Sequence, residues 1–508
     1  SVFLQAKTLG SLIQINSQHL QNLVGLKELL QAKDKGSDPS AKRAAIELMQ
    51  IVSQAIILAQ QYNVVIANPP YMGLKFQNAT LKAFMKKDYS EFSKDIFASF
   101  MVRCSLFTKE GGQTSFVTPY VWMFIISYES LRNYFYLNSP FTSLIQLEYN
   151  SFSPACIPVC CFSTQKGINE KFKGTFINLA RFKGSDNQSP RTIEAINSEI
   201  SDYKYHFSSS DLNNIPGKPL IYWAEEKILE SFSDEINYQK VGAKSTLRKG
   251  MSTGDNPKFV RVWSEINLAS SNITQENDTP DLKWFAYNNG GEYRKWYGNI
   301  DRVVNWEKDG FDIKNFFDDR GNLRSVARGV DQKFKTMLSW TSLSSTNLGV
   351  RYYEDKFLSD QNGNFIIDTE DELYFLLAYL CTPVAQYIVK TLNPTMHILV
   401  SNVAELPVPK DINVRNIASG IAKECISLSK NDWDSFEISW NFKCNPLVVI
   451  SKGYAKKLKD IYFDFIEFNK NITNKVSLLE KQNNTNFINI FGLEKTLQAD
   501  VEDIKITL

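Results

Sequence analysis

Val64-Val65-Ile66-Ala67 is a short apolar run cut off by Asn68-Pro69-Pro70. An apolar run stopped by prolines predicts a buried parallel strand feeding a loop. Its surroundings fit that expectation. Residues 11–32 and 41–62 carry helical periodicity on either side of a polar gap, Lys33 to Ser40. Helices are expected near 79–87 and 95–108. Gly111-Gly112 turns into a second strand at 114–118, and 144–147, 159–163 and 175–179 are further strand candidates. Strands alternating with helices predict a parallel or mixed α/β sheet.

At 508 residues the chain is expected to hold more than one domain, since single cores stop growing near ~250–300 residues. The composition turns polar at 186–191, which places the end of the first domain at about 190. Residues 191–240 suggest a helical connector. Residues 241–410 are rich in Gly, Asn, Trp and Tyr with short alternating strands, as in an irregular α+β domain. Residues 411–508 are helical, notably 417–430 and 452–480. The chain opens on Ser1 and shows regular patterning almost at once, as expected of a piece of a longer protein.

Several function classes are disfavoured. Net charge is +2, so a nucleic-acid surface must be a local patch offset by acids elsewhere. Seven cysteines, an odd number without a signal-peptide pattern, suit a reduced cytoplasmic compartment. Cys156, Cys160 and Cys161 lie in an apolar run and suit small buried side chains better than zinc ligands. His19, His206 and His397 lack ligand-spaced partners, so no metal site is expected. No apolar stretch reaches the ~18–20 residues of a membrane span. Neither a phosphate-binding loop nor a nuclease cluster is found.

The loop itself carries chemistry. An exocyclic amino group on an aromatic base is a poor nucleophile, because its lone pair is delocalised into the ring. Accepting both its N–H protons favours the pyramidal geometry needed for attack. Asn68 offers a side-chain carbonyl and Pro69 a main-chain carbonyl, two prolines fix φ so that these oxygens stay aimed, and Tyr71 offers a flat stacking face. A base must leave the duplex to reach such a pocket. Four residues alone also fit a strand-ending turn. The apolar run before them, the lysine-bearing helix after them and the second strand at a suitable interval favour the clamp.

Val65 to Tyr71 (VIANPPY) resembles motif IV of the gamma-type, Taq-like adenine-N6 methyltransferases, and Asp95-Ile96-Phe97 through Phe116-Val117-Thr118-Pro119 resembles the helix and strand that follow it there. More narrowly, residues 68–73 (NPPYMG), 250–260 (GMSTGDNPKFV), 284–309 and 340–352 resemble the PglX family, the adenine-specific methyltransferases of bacteriophage-exclusion (BREX) systems. The resemblance implies a partial Rossmann-like methyltransferase sheet, then an α+β target-recognition domain and a helical C-terminal region. It implies a C-terminal portion of such an enzyme, with S-adenosylmethionine as cofactor and double-stranded DNA as substrate. Other BREX proteins or a phage-encoded inhibitor are possible partners, and no membrane is implied. It makes Asn68, Pro69, Pro70 and Tyr71 the catalytic clamp. Phe152 becomes the candidate second stacking face, with a core Phe as the alternative. The family's cofactor-holding Gly-rich loop lies upstream of motif IV, where this chain has only Gly10, Gly25 and Gly36. The isolated chain is therefore expected neither to bind the cofactor tightly nor to methylate DNA.

For DNA recognition, Lys244, Arg248, Lys249, Lys258 and Arg261 form a basic stretch around glycines. Tyr293, Arg294, Lys295, Trp296 and Tyr297 interleave cations with aromatics near Asn288, Asn289 and Asn299. Arg324, Arg328 and Lys333 add a third segment. Such residues contact phosphates and base edges, although Asp301, Glu307, Asp309, Asp318 and Asp319 close by also fit a solvated, self-balanced surface. Residues 380–390 and Leu406-Pro407-Val408-Pro409 resemble the end of target-recognition domains. Lys452, Lys456, Lys457 and Lys459 fit either a DNA or partner clasp or a solvated helix face. Alternatives are a DNA-binding or partner-recruiting module without catalysis, or the same clamp acting on RNA adenine, cytosine N4 or protein glutamine.

Overall fold

The computed structural model describes residues 2–508 except 153–156, 170, 276–280, 344–346, 394–396 and 452–456. The chain divides into two compact units, Ser1–Ala224 and Glu225–Leu508.

The first unit opens with α1 (Ala6–Leu9), α2 (Leu20–Asp34) and α3 (Pro39–Ala59). Asp38 starts α3: its carboxylate accepts from the N–H groups of Ser40 and Ala41, and Pro39 has no N–H to satisfy. Arg103 fastens this helical segment to the rest of the unit by donating to the carbonyls of Ser11, Ile13 and Leu58. The sheet follows, built from β1 (Tyr62–Ala67), β2 (Thr108–Pro119), β3 (Phe141–Gln146), β4 (Val159–Gln165), β5 (Gly174–Asn178) and β6 (Lys204–Phe207) in the order β1-β2-β4-β3-β5-β6. It is mixed: β1 runs parallel to β2 and β3 to β5, while β4 is antiparallel to both its neighbours and β6 to β5. The helices α4 (Ala79–Asp88) and α5 (Ile96–Phe107) separate β1 from β2, α6 (Glu129–Asn138) precedes β3, and α7 (Ser185–Asn197) precedes β6. Trp122 stacks on Phe141 and Phe162 meets the Phe141 ring edge-on at the centre, all three buried.

Three differences from expectation have physical causes. First, β1 is parallel but not buried. It is the edge strand, and Val64 and Ile66 are 57% and 77% exposed. An edge strand has a neighbour on one side only, and no described residue of this chain covers Val64 or Ile66. Second, Gly111-Gly112 lies inside β2 at a bulge, where the register against β1 slips between Tyr62 and Val64. Gly111 takes φ +75°, and a Cβ on Gly112 would sit 2.8 Å from the Asn63 carbonyl. Third, the polar segment at 186–191 is helical, and residues 204–207 form the sixth strand rather than part of a helical connector. The first unit runs on to Ala224.

In the second unit, α8 (Glu226–Ser231), β7 (Tyr238–Lys240), β8 (Thr246–Arg248), α9 (Asn256–Phe259), β9 (Val260–Val262), β10 (Trp284–Asn288), β11 (Arg302–Asn305) and α10 (Glu307–Lys314) come first. They are followed by β12 (Met337–Thr341), β13 (Val350–Tyr353), β14 (Leu358–Ser359) and β15 (Gly363–Ile367). Two four-stranded sheets result, ordered β14-β10-β11-β9 and β13-β12-β15-β8. The helices α11 (Glu370–Leu380), α12 (Pro383–Leu392) and α13 (Val400–Ala404) lead to β16 (Pro407–Pro409), which pairs only with β7. A two-stranded ribbon tolerates prolines, which cannot donate to a further strand. The helices α14 (Ile412–Trp433), α15 (Pro446–Ser451) and α16 (Leu458–Phe491) complete the unit. No single described helix is long and apolar enough to cross a membrane. Lys452 and Lys456 lie outside the described residues.

Glu480, 2% exposed on α16, fastens that helix to the irregular segment between β10 and β11. Its carboxylate accepts from the ammonium of Lys295 and, at 2.7 Å, from the indole N–H of Trp296. Removing one member of a buried pair leaves the other charge without compensation. Glu480→Ala is therefore expected to destabilise this unit by about 3–5 kcal/mol, measured as a drop in urea midpoint. A shift under about 1 kcal/mol, the range of an exposed pair, would show that Lys295 finds water instead.

Candidate active site and nucleic-acid interface

The loop after β1 is fixed from three directions. Pro69 is buried under it. Downstream, Asp95 caps α5 and uses the same oxygen on the loop: Oδ1 accepts the backbone N–H of Met72 at 2.9 Å and that of Phe97 at 3.3 Å. The Met72 carbonyl accepts in return from the Ile96 N–H at 3.2 Å and the Gln77 amide at 3.1 Å. Burial raises the Asp95 carboxyl pKa, while the N–H groups of Met72, Phe97 and Ile96 pull it back. Asp95 opens the segment that resembles the family's next helix, whereas Gln77, which also holds the loop, lies in no quoted motif. Only the fold brings them to Met72.

The Tyr71 hydroxyl lies 3.2 Å from both Asn68 Oδ1 and the Val117 carbonyl and can donate to either. Burial, then the nearby Cys160 and Cys161, push its phenol pKa up, so the donor proton is kept. The edge of the Phe97 ring meets the Tyr71 ring at 6.3 Å and 85°. Asn68, Pro69, Pro70 and Tyr71 line a cleft of about 400 Å³ together with Val117 of β2, Val159 of β4, and Phe152 and Ile157 from the connection before β4. Phe152 is thus brought to the four loop residues, and at 50% exposure it is not a core side chain. Ser153 to Cys156 lie outside the described residues.

The cleft has the size of a small-ligand site. Its walls are apolar and flat, and its polar atoms are the Asn68 amide, the Tyr71 hydroxyl and backbone carbonyls. That suits a planar ring whose one amino group needs acceptors. Among the described residues, neither a carboxylate nor a glycine-rich strand-to-helix turn borders it. Among the described residues no group of three His, Cys, Asp or Glu side chains is placed to hold a metal ion.

In the second unit the expected basic residues divide into two sets. Tyr293 to Tyr297 form an internal joint. Lys295 and Trp296 are buried on Glu480, and Arg294 pairs with Asp432 at 3.1 Å and lies over the Trp433 ring. Asn288 is fully buried and donates to Ser339 and Ser359. Arg294 and Lys295 are thus not free for DNA, because their partners, 138 and 185 residues away, neutralise them. Lys333 is likewise engaged, by Asp309.

The other set stays available. Lys244, Arg248, Lys249, Lys258, Arg324 and Arg328 are exposed, and Arg261 is half-buried with its guanidinium on the Pro257 and Val260 carbonyls. Two distant segments meet here. Ser252 and Val326 exchange two backbone hydrogen bonds of 2.8 Å. Gly254, at φ +78°, lies so close to the Arg324 backbone that a Cβ would come within 2.8 Å. Lys258 and Arg324 then share one ring, 4.4 and 5.0 Å from the Phe316 centroid. Of the neighbouring acids, Asp309 and Asp318 are engaged internally, while Asp319 is exposed. Although burial alone would raise its pKa, hydrogen bonds from Lys314 and Lys333 hold Asp309 at about 2. Asp318 accepts from the Arg320 and Asn322 N–H groups.

Residues 2–152 match the family model of the Eco57I restriction-modification methylases. The chain is 32% identical over 488 residues to the adenine-specific methyltransferase BrxX of Escherichia coli O9:H4 (strain HS), covering 93% of this chain and 38% of that protein. It is 30% identical over 520 residues to the adenine-specific methyltransferase PglX of Lacticaseibacillus casei (strain Zhang), covering 99% of this chain and 42% of that protein. The chain thus spans about two fifths of the length of these relatives. A solved structure of the Type IIL restriction-modification enzyme MmeI in complex with DNA aligns with a TM-score of 0.48 at 10% identity, covering 87% of this chain and 56% of that one. By sequence, nearly the whole of this chain is similar to part of the adenine-specific methyltransferases BrxX and PglX.

Proposed function

We propose that this chain is the target-base clamp and DNA-recognition part of an adenine-N6 DNA methyltransferase of a BREX phage-defence system. The observation that carries this reading is the cleft in which Asn68 to Tyr71 meet Phe152. An adenine turned out of the duplex stacks between Tyr71 and Phe152. Asn68 Oδ1 and the Pro69 carbonyl accept its two amino protons. The Tyr71 hydroxyl shifts its donation to the Val117 carbonyl and leaves Asn68 Oδ1 free for the base. Water is excluded by Val117, Ile157 and Val159. The proton departs after methylation, so no tuned general base is required of these residues.

The methyl donor's site is proposed to lie in a part of a longer protein outside this chain. The cleft's composition, the uncovered apolar edge strand β1 and the relatives' greater length support that. The second unit is proposed to read duplex DNA through the Lys249, Lys258, Arg324 and Arg328 surface. The long second unit favours a DNA target over RNA adenine or protein glutamine.

Two outcomes follow for the chain and one for the longer protein. With S-adenosylmethionine and duplex DNA, the chain alone should transfer no methyl groups. Robust transfer would contradict the outside cofactor site. Duplex affinity should fall steeply with salt, by roughly one tenfold step per tenfold salt increase for each phosphate contacted. Phe152→Ala in the longer protein should slow methylation by roughly 10- to 100-fold, the loss of ~1–3 kcal/mol of stacking, with DNA affinity within about twofold. Unchanged methylation would remove Phe152 from the site.

A further inference from the structure

The segment Phe316 to Arg324 is a hairpin that the family motifs leave unexplained. Arg324 N–H donates to the Phe316 carbonyl and Asp318 N–H to the Asn322 carbonyl, each at 2.8 Å, and Gly321 at φ +78° makes the turn. Those bonds flank Phe317 and Leu323, which face each other as a non-hydrogen-bonded pair, the arrangement that brings side chains closest. Their side chains therefore share one face. They are 53% and 50% exposed, with Val326 just beyond at 39%. Residues of the opposite face anchor the hairpin: Phe316 packs edge-on against Phe259, which is buried in the core, at 5.2 Å. An apolar pair held outward on a short rigid hairpin needs an occupant.

Charge identifies it. Lys258 and Arg324 lie over the Phe316 ring, and exposed Arg320 and Arg328 follow on the same segment. None of the four is in an ion pair among the described residues. The Asp318 carboxylate inside the hairpin is already occupied by backbone and Asn322 N–H groups. Asp318 lies close enough to Arg324 for that cation to lower its pKa, but an apolar patch on a protein partner does not call for a cluster of four cations around it. A nucleic-acid duplex does, and its stacked bases offer an apolar slot between two lines of phosphate.

We propose that this hairpin is a wedge: Phe317 and Leu323 insert between base pairs and bend the duplex, while Lys258, Arg320, Arg324 and Arg328 hold the flanking phosphates. The inference rests on the reading of the second unit as DNA-binding and adds a mode of contact to it. Unstacking a step costs energy that the apolar pair and the added phosphate contacts repay. It also loosens pairing near the insertion, which assists the extrusion of a neighbouring base.

The test uses the whole chain and a duplex of about 30 base pairs carrying a donor and an acceptor dye at its ends, so that bending raises energy transfer. The chain should bend the duplex. Phe317→Ser with Leu323→Ser should abolish the bend and weaken binding roughly tenfold, with the salt slope unchanged. Lys258→Gln with Arg324→Gln should keep the bend at saturation and lower the salt slope by about 2. Ile412→Ser, an exposed apolar residue away from the hairpin, is the control and should change neither. All positions are surface-exposed or half-exposed, and an unchanged melting temperature certifies folding. If the chain does not bind duplex DNA even at low salt, the DNA reading of the unit fails. If it binds but the Phe317/Leu323 variant bends DNA as the parent does, the wedge alone is overturned and the apolar pair is a protein-docking face.

Discussion

One hydrogen bond does most to shape the site: the backbone N–H of Met72 donating to Asp95 Oδ1. The loop it holds is only a few residues long and has prolines at two of them, so it cannot add strand or helix bonds of its own. Without an external anchor its carbonyls would point according to local φ/ψ preference alone. Asp95 supplies the anchor because it is itself immobilised as the cap of α5. A helix cap thus becomes the reference point for the proposed clamp loop, and Phe97, the second residue of that helix, meets the Tyr71 ring edge-on. A bond to a carboxylate is worth more than a neutral one, and half-burial of Asp95 strengthens it further.

The neighbouring strand shows the opposite economy. β1 has a partner on one side only and exposes Val64 and Ile66. A parallel edge strand with bare apolar side chains is a liability in water. Its composition is that of an interior strand, and the proposal that further parts of a longer protein complete the sheet accounts for it. The cleft lies beside this edge, the side from which the methyl donor is proposed to approach the base.

What was legible in the sequence was local. The strand before Asn68, the helices at 79–88 and 96–107, and the long helices at 412–433 and 458–491 follow from periodicity, caps and prolines. The juxtaposition of Phe152 with Tyr71 was legible only through the family resemblance. What was not legible depends on residues far apart. The Tyr293 to Tyr297 segment has the composition of a nucleic-acid surface, yet Glu480 and Asp432 convert it into an internal joint. The cation pair over Phe316 was hidden for the same reason: Lys258 and Arg324 belong to separate segments that meet only because Ser252 pairs with Val326. Charge counts cannot separate these cases, since the partner decides whether a cation is spent.

The proposed chemistry requires Asn68 and Pro69 to receive an adenine amino group. The sharpest measurement is a map of N6-methyladenine in DNA from cells that make the longer protein with Asn68 intact or as Asn68→Ala, alongside duplex binding by the matching chains. The account predicts loss of the modification with duplex affinity within about twofold, since Asn68 contacts only the extruded base. N6-methyladenine persisting at the same sites in the Asn68→Ala cells would contradict it.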